Sequence, residues 1–251
     1  MNLSCNRNPE ILYKLADCEI LGKLEVLEAH NDAIKLLMTN IVTNLTTTEE
    51  QRPLIHLKPY VYLQCFSILE KCFVEENSDR FLLGIYYLLH VNNMADVLLC
   101  KYDLVTLIIE NLHIDTKNSA KIGALRIISK IALFGNENYI NRFIACPLFR
   151  DNLRSLYDEI YQKVLMLFFQ VLNNLSAHES GRQLIVSQKY HFYAIAALGR
   201  ACEDGKEECL HSVHTILINS DLAKVRKMAD NCLLENIKIE MENINTIEAQ
   251  R

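Results

Sequence analysis

The chain has 251 residues, half of them hydrophobic, and carries a formal charge of −5. That balance, with no Lys/Arg-rich block, argues against a surface that neutralises nucleic-acid phosphates. No uncharged apolar run reaches the ~18 residues of a membrane-spanning helix. The 7 Gly and 4 Pro give little material for tight turns, which favours long helices with short connections over hairpins.

Met1 to Glu10 is polar and lacks the apolar stretch of a secretory signal. Apolar residues then recur at helical spacing. They do so in Ile11, Leu12, Leu15 and Cys18, and again in Ala33, Leu36, Leu37, Ile41 and Leu45. Further helical series run through Val61–Phe73, Phe81–Val91, Leu104–Leu112, Ile122–Phe134, Val164–Leu175, Phe192–Cys202, Cys209–Ile218 and Leu222–Ile239. Polar breaks are predicted at Glu49–Pro53, Glu75–Asp79, Asp115–Asn118, Gly135–Asn138, His178–Gly181 and Glu203–Lys206. They have the length expected between packed antiparallel helices. No segment alternates as a strand would.

The nine cysteines are odd in number and form no C-x-x-C. Cys65 and Cys72 lie seven apart, as do Cys202 and Cys209, so each pair can share a helix face. Mostly apolar neighbours make them reduced core thiols of a cytoplasmic or nuclear protein. The sequons at Asn2, Asn44 and Asn174 carry no meaning without secretion.

The helices repeat. Val42–Ile55 reads VTNLTTTEEQRPLI and Leu172–Ile185 reads LNNLSAHESGRQLI. Both hold Asn-Leu-Thr/Ser, a polar gap, then Arg, one residue, and Leu-Ile. Weaker copies surround Leu89, Ile131 and Leu217, so that Leu45, Leu89, Ile131, Leu175 and Leu217 follow at steps of 44, 42, 44 and 42. A near-constant period of that size marks a helical solenoid, in which each unit has apolar surface on two sides and buries it by stacking.

The phrase FFQVLNNLSAHESGRQLIV (Phe168–Val186) resembles the third helix of an armadillo repeat and its exit into the next repeat. Ile34–Thr46 resembles the same helix with Asn44 in the family's Asn position, and ALRIISKIA (Ala124–Ala132) with Lys130 there. The resemblance covers residues 30 to 235. It implies an all-α, right-handed armadillo/HEAT-like α-solenoid of about five repeats: N-terminal capping helices over 1–29, repeats over 30–220, a capping helix over 221–242 and a flexible tail over 243–251.

The resemblance also implies that third helices line a concave groove where family members bind extended peptides, using one Asn per repeat and Trp rings one turn earlier. Carried over, the Asn position falls on Asn44, Leu88, Lys130, Asn174 and Ile216, and the earlier position on Asn40, Gly84, Arg126, Gln170 and Ser212. Two of five Asn are kept and the chain has no Trp, so a clamp for basic import peptides is not expected. The candidate partner-binding residues are Asn40, Asn44, Tyr87, Arg126, Lys130, Gln170, Asn173 and Asn174. Arg126 and Lys130 give a positive centre suited to an acidic or phosphorylated protein segment.

No phosphate-cradling glycine loop, nucleophile elbow or H-E-x-x-H occurs, and no cofactor is implied. His211 and His214 stand three apart near Cys209 without a second ligand pair, so no metal site is expected. Tyr87 is expected to serve as an aromatic anchor in the groove. Most other aromatics, Tyr86 and Phe168–Phe169 among them, are predicted core fillers, whereas Tyr190 and His191 open a helix after a turn and could be exposed. The sequence thus predicts a non-catalytic adaptor or scaffold, cytoplasmic or nuclear. The alternative is an obligate subunit of a larger complex that uses its lateral or convex face.

Overall fold

The computed structural model describes residues 20–26, 31–46, 59–90, 94–100, 102–134, 136–156, 161–198 and 203–219. Thirteen α-helices occur among them: α1 (Ile20–Val26), α2 (Asp32–Thr46), α3 (Pro59–Lys71), α4 (Ser78–Leu88), α5 (Met94–Cys100), α6 (Tyr102–Glu110), α7 (Asn118–Leu133), α8 (Glu137–Ala145), α9 (Pro147–Ser155), α10 (Gln162–Ser176), α11 (Glu179–Ser187), α12 (Tyr190–Leu198) and α13 (Glu203–Asn219). No strand occurs among the described residues. Of the predicted N-terminal cap only α1 is described. The predicted C-terminal cap over 221–242 and the tail over 243–251 lie outside the described residues.

Third helices of successive repeats are α2, α4, α7, α10 and α13, which fits the expected 42–44-residue step. Three shorter helices, α5, α8 and α9, went unseen in the sequence because each buries few side chains. In α8 and α9 the buried set is Ile140, Phe143, Phe149, Asn152 and Leu153. Local signals do start them. Asn136 caps α8 by accepting from the Asn138 N–H at 3.0 Å, and Pro147 occupies the first turn of α9, where a missing N–H costs nothing. Three predicted breaks need correction. In His178–Gly181, all but His178 belong to the first turn of α11. Glu203–Lys206 is the first turn of α13. Glu75–Asp79 holds a single 3-10 turn, Glu75–Asn77, after which α4 has already begun.

The chain divides into two compact units, Met1–Lys130 and Ile131–Arg251. In the first, α3 and α4 pack on α2, and α1 on α3. Its core includes Val42, Phe66, Ile68, Leu69, Leu82, Ile85, Leu88 and Leu125, each worth roughly 1.5–3 kcal/mol when fully removed from water. Polar groups fasten this packing. Buried Asn77 donates to Thr39 Oγ1 at 3.2 Å and accepts from the Val74 N–H at 3.1 Å, and Thr43 Oγ1 donates to the Arg80 carbonyl at 3.0 Å. Lys121 is buried, with its ammonium on the Ile114 carbonyl at 2.8 Å.

In the second unit, α10 packs on α11 and α13, and α11 on α8 and α12. Phe168 and Phe169 fill its core as predicted. The repeated sequence phrase has a structural account here. Ser176 Oγ donates to the Asn173 carbonyl at 2.6 Å and accepts from Asn219 Nδ2 at 2.9 Å. Arg182 reaches back to the Ser176 and Ala177 carbonyls at 3.4 and 3.2 Å, satisfying acceptors that every helix end leaves open. Gly181 sits so close to the end of α10 that a Cβ would lie 2.0 Å from the Leu175 oxygen. Lys189 turns the chain between α11 and α12 with φ 59°, a conformation that usually falls to Gly.

Three expectations about single residues change. Tyr190 and His191 are buried at 1% and 3% exposure, because Tyr190 runs inward to donate its hydroxyl to the Arg150 carbonyl at 2.8 Å. Tyr86 is half-buried rather than core. Cys65 and Cys72 are buried, but Cys100 is exposed and Cys146 half-buried. Burial pushes the Cys65 thiol up to about 12, so it stays protonated and behaves as a small apolar group.

Candidate functional site

In the first unit, the outward stripe of α2 carries Leu36, Leu37, Asn40, Ile41 and Asn44. That of α4 carries Leu83, Tyr86 and Tyr87, with His90 just past the helix end. That of α7 carries Ile122, Arg126 and Lys130. Asn40, Asn44, Tyr87, Arg126 and Lys130 are all half-buried. In the second unit, α10 presents Met166, Gln170, Asn173 and Asn174, and α13 presents His211, His214, Thr215 and Ile218.

The carried-over register is wrong on two helices. Leu88 and Ile216 are each 1% exposed, and Gly84 and Ser212 are buried. In the first unit the stripe instead advances by 43 residues, through Asn44, Tyr87 and Lys130. Helical rotation is about 100° per residue, so a slip of one turns a side chain from the outward face into the core.

The best-defined cluster lies on α4 and α7. The Arg126 guanidinium stands over the Tyr86 ring, 5.8 Å from its centroid. No carboxylate pairs with it among the described residues. Tyr86 packs edge-on against Tyr87 at 5.4 Å and against His90 at 4.9 Å. His90 Nδ1 donates to the Tyr86 carbonyl at 3.1 Å, which fixes the tautomer and leaves Nε2 as the second ring nitrogen. Burial, and then the charge of Lys130, hold the His90 imidazole below the ordinary histidine range. Lys130 follows Arg126 by one turn, so both cations share a face. The sequence reading missed Tyr86 and His90 as site residues. The Tyr86-Tyr87 doublet, with His90 one turn after Tyr86, was the available signal.

On α10, Asn173 Oδ1 is buried with no hydrogen-bond partner, while Gln170 is exposed and Asn174 half-buried. An unfilled buried acceptor is uncommon, since it forgoes the bond it would make with water. On α13, His211 is exposed and His214 half-buried. No group of three or more potential metal ligands occurs among the described residues. No described helix is long and apolar enough to cross a membrane.

No family model and no curated protein matches the sequence. Among solved structures, a designed armadillo repeat protein in complex with the peptide (KR)4 is similar, with a TM-score of 0.66 and 15% identity, over 87% of this chain and 89% of its own. The crystal structure of an engineered protein is similar at TM-score 0.64 and 16% identity, over 87% and 88% of the two chains. At such identities the likeness speaks to fold.

Proposed function

We propose that this chain, an all-α solenoid of armadillo-like repeats, is a non-catalytic adaptor that holds an extended protein segment along its third helices, with acidic or phosphorylated groups against Arg126 and Lys130. The observation that carries the reading is the Arg126 guanidinium, stacked on Tyr86 with no carboxylate paired to it among the described residues, and Lys130 one turn on. Guanidinium is weakly hydrated and presents a planar fork of donors, so it favours anions with two or more oxygens. Tyr87, half-buried beside it, supplies rigid aromatic contact area. The designed relative holds (KR)4, whereas two cations on α7 would repel such a peptide.

The setting we infer is the cytoplasm or nucleus, where thiols such as Cys65 and exposed Cys100 stay reduced. Fluorescence anisotropy with a labelled octaglutamate peptide and with (KR)4 tests the reading. Octaglutamate is expected to bind in a salt-dependent way and (KR)4 not to bind. Arg126→Glu with Lys130→Glu should abolish the octaglutamate signal, and unchanged affinity in that variant would sink the assignment.

A further inference from the structure

We propose that Arg126, Lys130 and His90, walled by Tyr86 and Tyr87, form a site for a phosphate monoester, and that His90 takes up a proton as the dianion binds. The inference rests on the reading above and narrows it to one anion and one form of regulation.

The geometry comes first. Arg126 and His90 flank the same ring, one 5.8 Å over the Tyr86 centroid and the other 4.9 Å from it edge-on. His90 lies at the C-terminal end of α4, with Nδ1 already committed to the Tyr86 carbonyl at 3.1 Å. A proton added to the imidazole therefore goes to Nε2 and makes that atom a donor. Lys130 lies near enough that its charge opposes this proton. Among the described residues no other charge acts on His90. The charges of α2 and α3, which pack on α4, are Asp32 and Lys35, paired with each other at 3.4 Å, and Glu70 and Lys71. Those of α4 itself, Asp79 and Arg80, lie at its opposite end.

This arrangement discriminates between anions. A carboxylate brings one charge and two oxygens, which the Arg126 fork alone can satisfy. A phosphate monoester brings nearly two charges and three strong acceptors at neutral pH. Its third oxygen and second charge call for another donor, which Lys130 and protonated Nε2 supply. Without an anion, burial and the Lys130 charge keep His90 neutral. Filled by a dianion, the local charge reverses, and the imidazolium becomes the favoured form. Binding is thus coupled to proton uptake, and affinity falls as pH rises through neutrality.

Phenyl phosphate is the probe, titrated into the full chain at pH 7 and pH 8, where the ester is a dianion at both. Isothermal titration in two buffers of different ionisation enthalpy reads the proton uptake, and the imidazole proton resonances of His90 read the site. We expect uptake of a fraction of a proton at pH 7, severalfold weaker binding at pH 8, and a downfield shift of the His90 resonance. His90→Asn, at an exposed position, should keep the fold and part of the affinity but lose the pH dependence. Arg126→Gln should weaken binding about tenfold or more. Binding of phenyl phosphate with no proton uptake, or a pH dependence that survives His90→Asn, overturns the role of His90. If octaglutamate binds and phenyl phosphate does not, the phosphate site is overturned while the acidic-segment reading stands. If neither binds, both fall.

Discussion

Gly123 on α7 and Leu82 on α4 approach so closely that a Cβ at position 123 would lie 2.8 Å from the Leu82 Cβ. The stacking of these two third helices depends on that missing methyl. Leu82 Cβ is anchored to its backbone and cannot swing aside, so Gly123→Ala must push the helices apart. Overpacking of this kind costs roughly 1–3 kcal/mol, against a helix-propensity gain of about 1 kcal/mol. At Gly84 the obstacle is the Leu69 Cδ1 methyl, also at 2.8 Å, at the far end of a side chain that has rotamers to use. At Gly181 it is the Leu175 carbonyl itself. Thermal unfolding of the three alanine variants is expected to rank them Gly181 most damaging, Gly123 next and Gly84 near neutral. A Gly123→Ala variant as stable as the parent chain would mean the helices are not held at this distance.

Asn173 should separate stability from binding. Its Oδ1 is buried and unpaired, a state that costs about 1–3 kcal/mol relative to a satisfied group. Asn173→Ala removes the orphan along with some half-buried contact, so the free chain should be as stable as before or slightly more so. Binding of octaglutamate, placed on Arg126 and Lys130, should be unchanged, since an acceptor closed to solvent is closed to a ligand as well. Chemical denaturation and anisotropy on the same variant check both halves. A clear loss of stability would mean that the Asn173 side chain is satisfied in the folded chain, and a loss of binding would place it in contact with the ligand.

These two residues show what the sequence made legible. Helix type, the repeat step of about 43 and the outward faces of α2, α7 and α10 follow from apolar periodicity, because burying one face of each helix dominates the energetics. The Asn174–Ser176 phrase carried the repeat because Ser176 and the following Arg182 bond to backbone carbonyls at the end of α10. The rotation of α4 and α13 was not legible. Leu88 and Ile216 are apolar next to apolar neighbours, so a pattern of hydrophobicity gives the same score to two registers one residue apart, and only packing decides between them. His90 and Tyr86 escaped notice for a related reason. Their pairing with Arg126 joins residues about 40 apart, across two helices that the sequence alone does not bring together.

Acid should loosen the second unit before the carboxylates titrate. His191 is 3% exposed, bonded through Nδ1 to the Ile185 carbonyl at 3.4 Å. Burial holds its imidazole below the ordinary histidine range. The unfolded chain therefore binds a proton near pH 6.5 that the folded chain refuses. Stability is complete above that pH and is lost as pH falls from about 6.5 through the folded value. Melting temperature is expected to drop between pH 7 and pH 5.5, and His191→Phe should flatten that slope. His90 shifts in the same direction, so some slope remains in the single variant. A pH profile in which His191→Phe leaves the drop unchanged would assign it to other groups.

Glu137 and Ser180 form a staple between successive repeats, 43 residues apart. One carboxylate oxygen accepts from the Ser180 N–H at 2.7 Å and from its hydroxyl. The other lies 3.5 Å from His178 Nδ1, whose Nε2 meets the Ala132 carbonyl at 2.7 Å. The Ser180 hydrogen bonds, and after them the charges of His178 and Arg182, hold the Glu137 carboxyl below its usual range. The carboxylate also faces the first turn of α11, where the helix dipole favours a negative charge. A charge-assisted hydrogen bond is worth about 1.5–3 kcal/mol. Glu137 is 42% exposed, and solvent screening brings the expected cost of Glu137→Gln to about 1 kcal/mol. That corresponds to roughly 2–4 °C in melting temperature for a chain of this size. Ser180→Ala should cost less, since the backbone donor remains. Because both changes remove the same bond, the double variant should lose less than the two losses added. Strict additivity in a double-mutant cycle would show that the two residues act separately and that the staple contributes nothing to holding one repeat on the next.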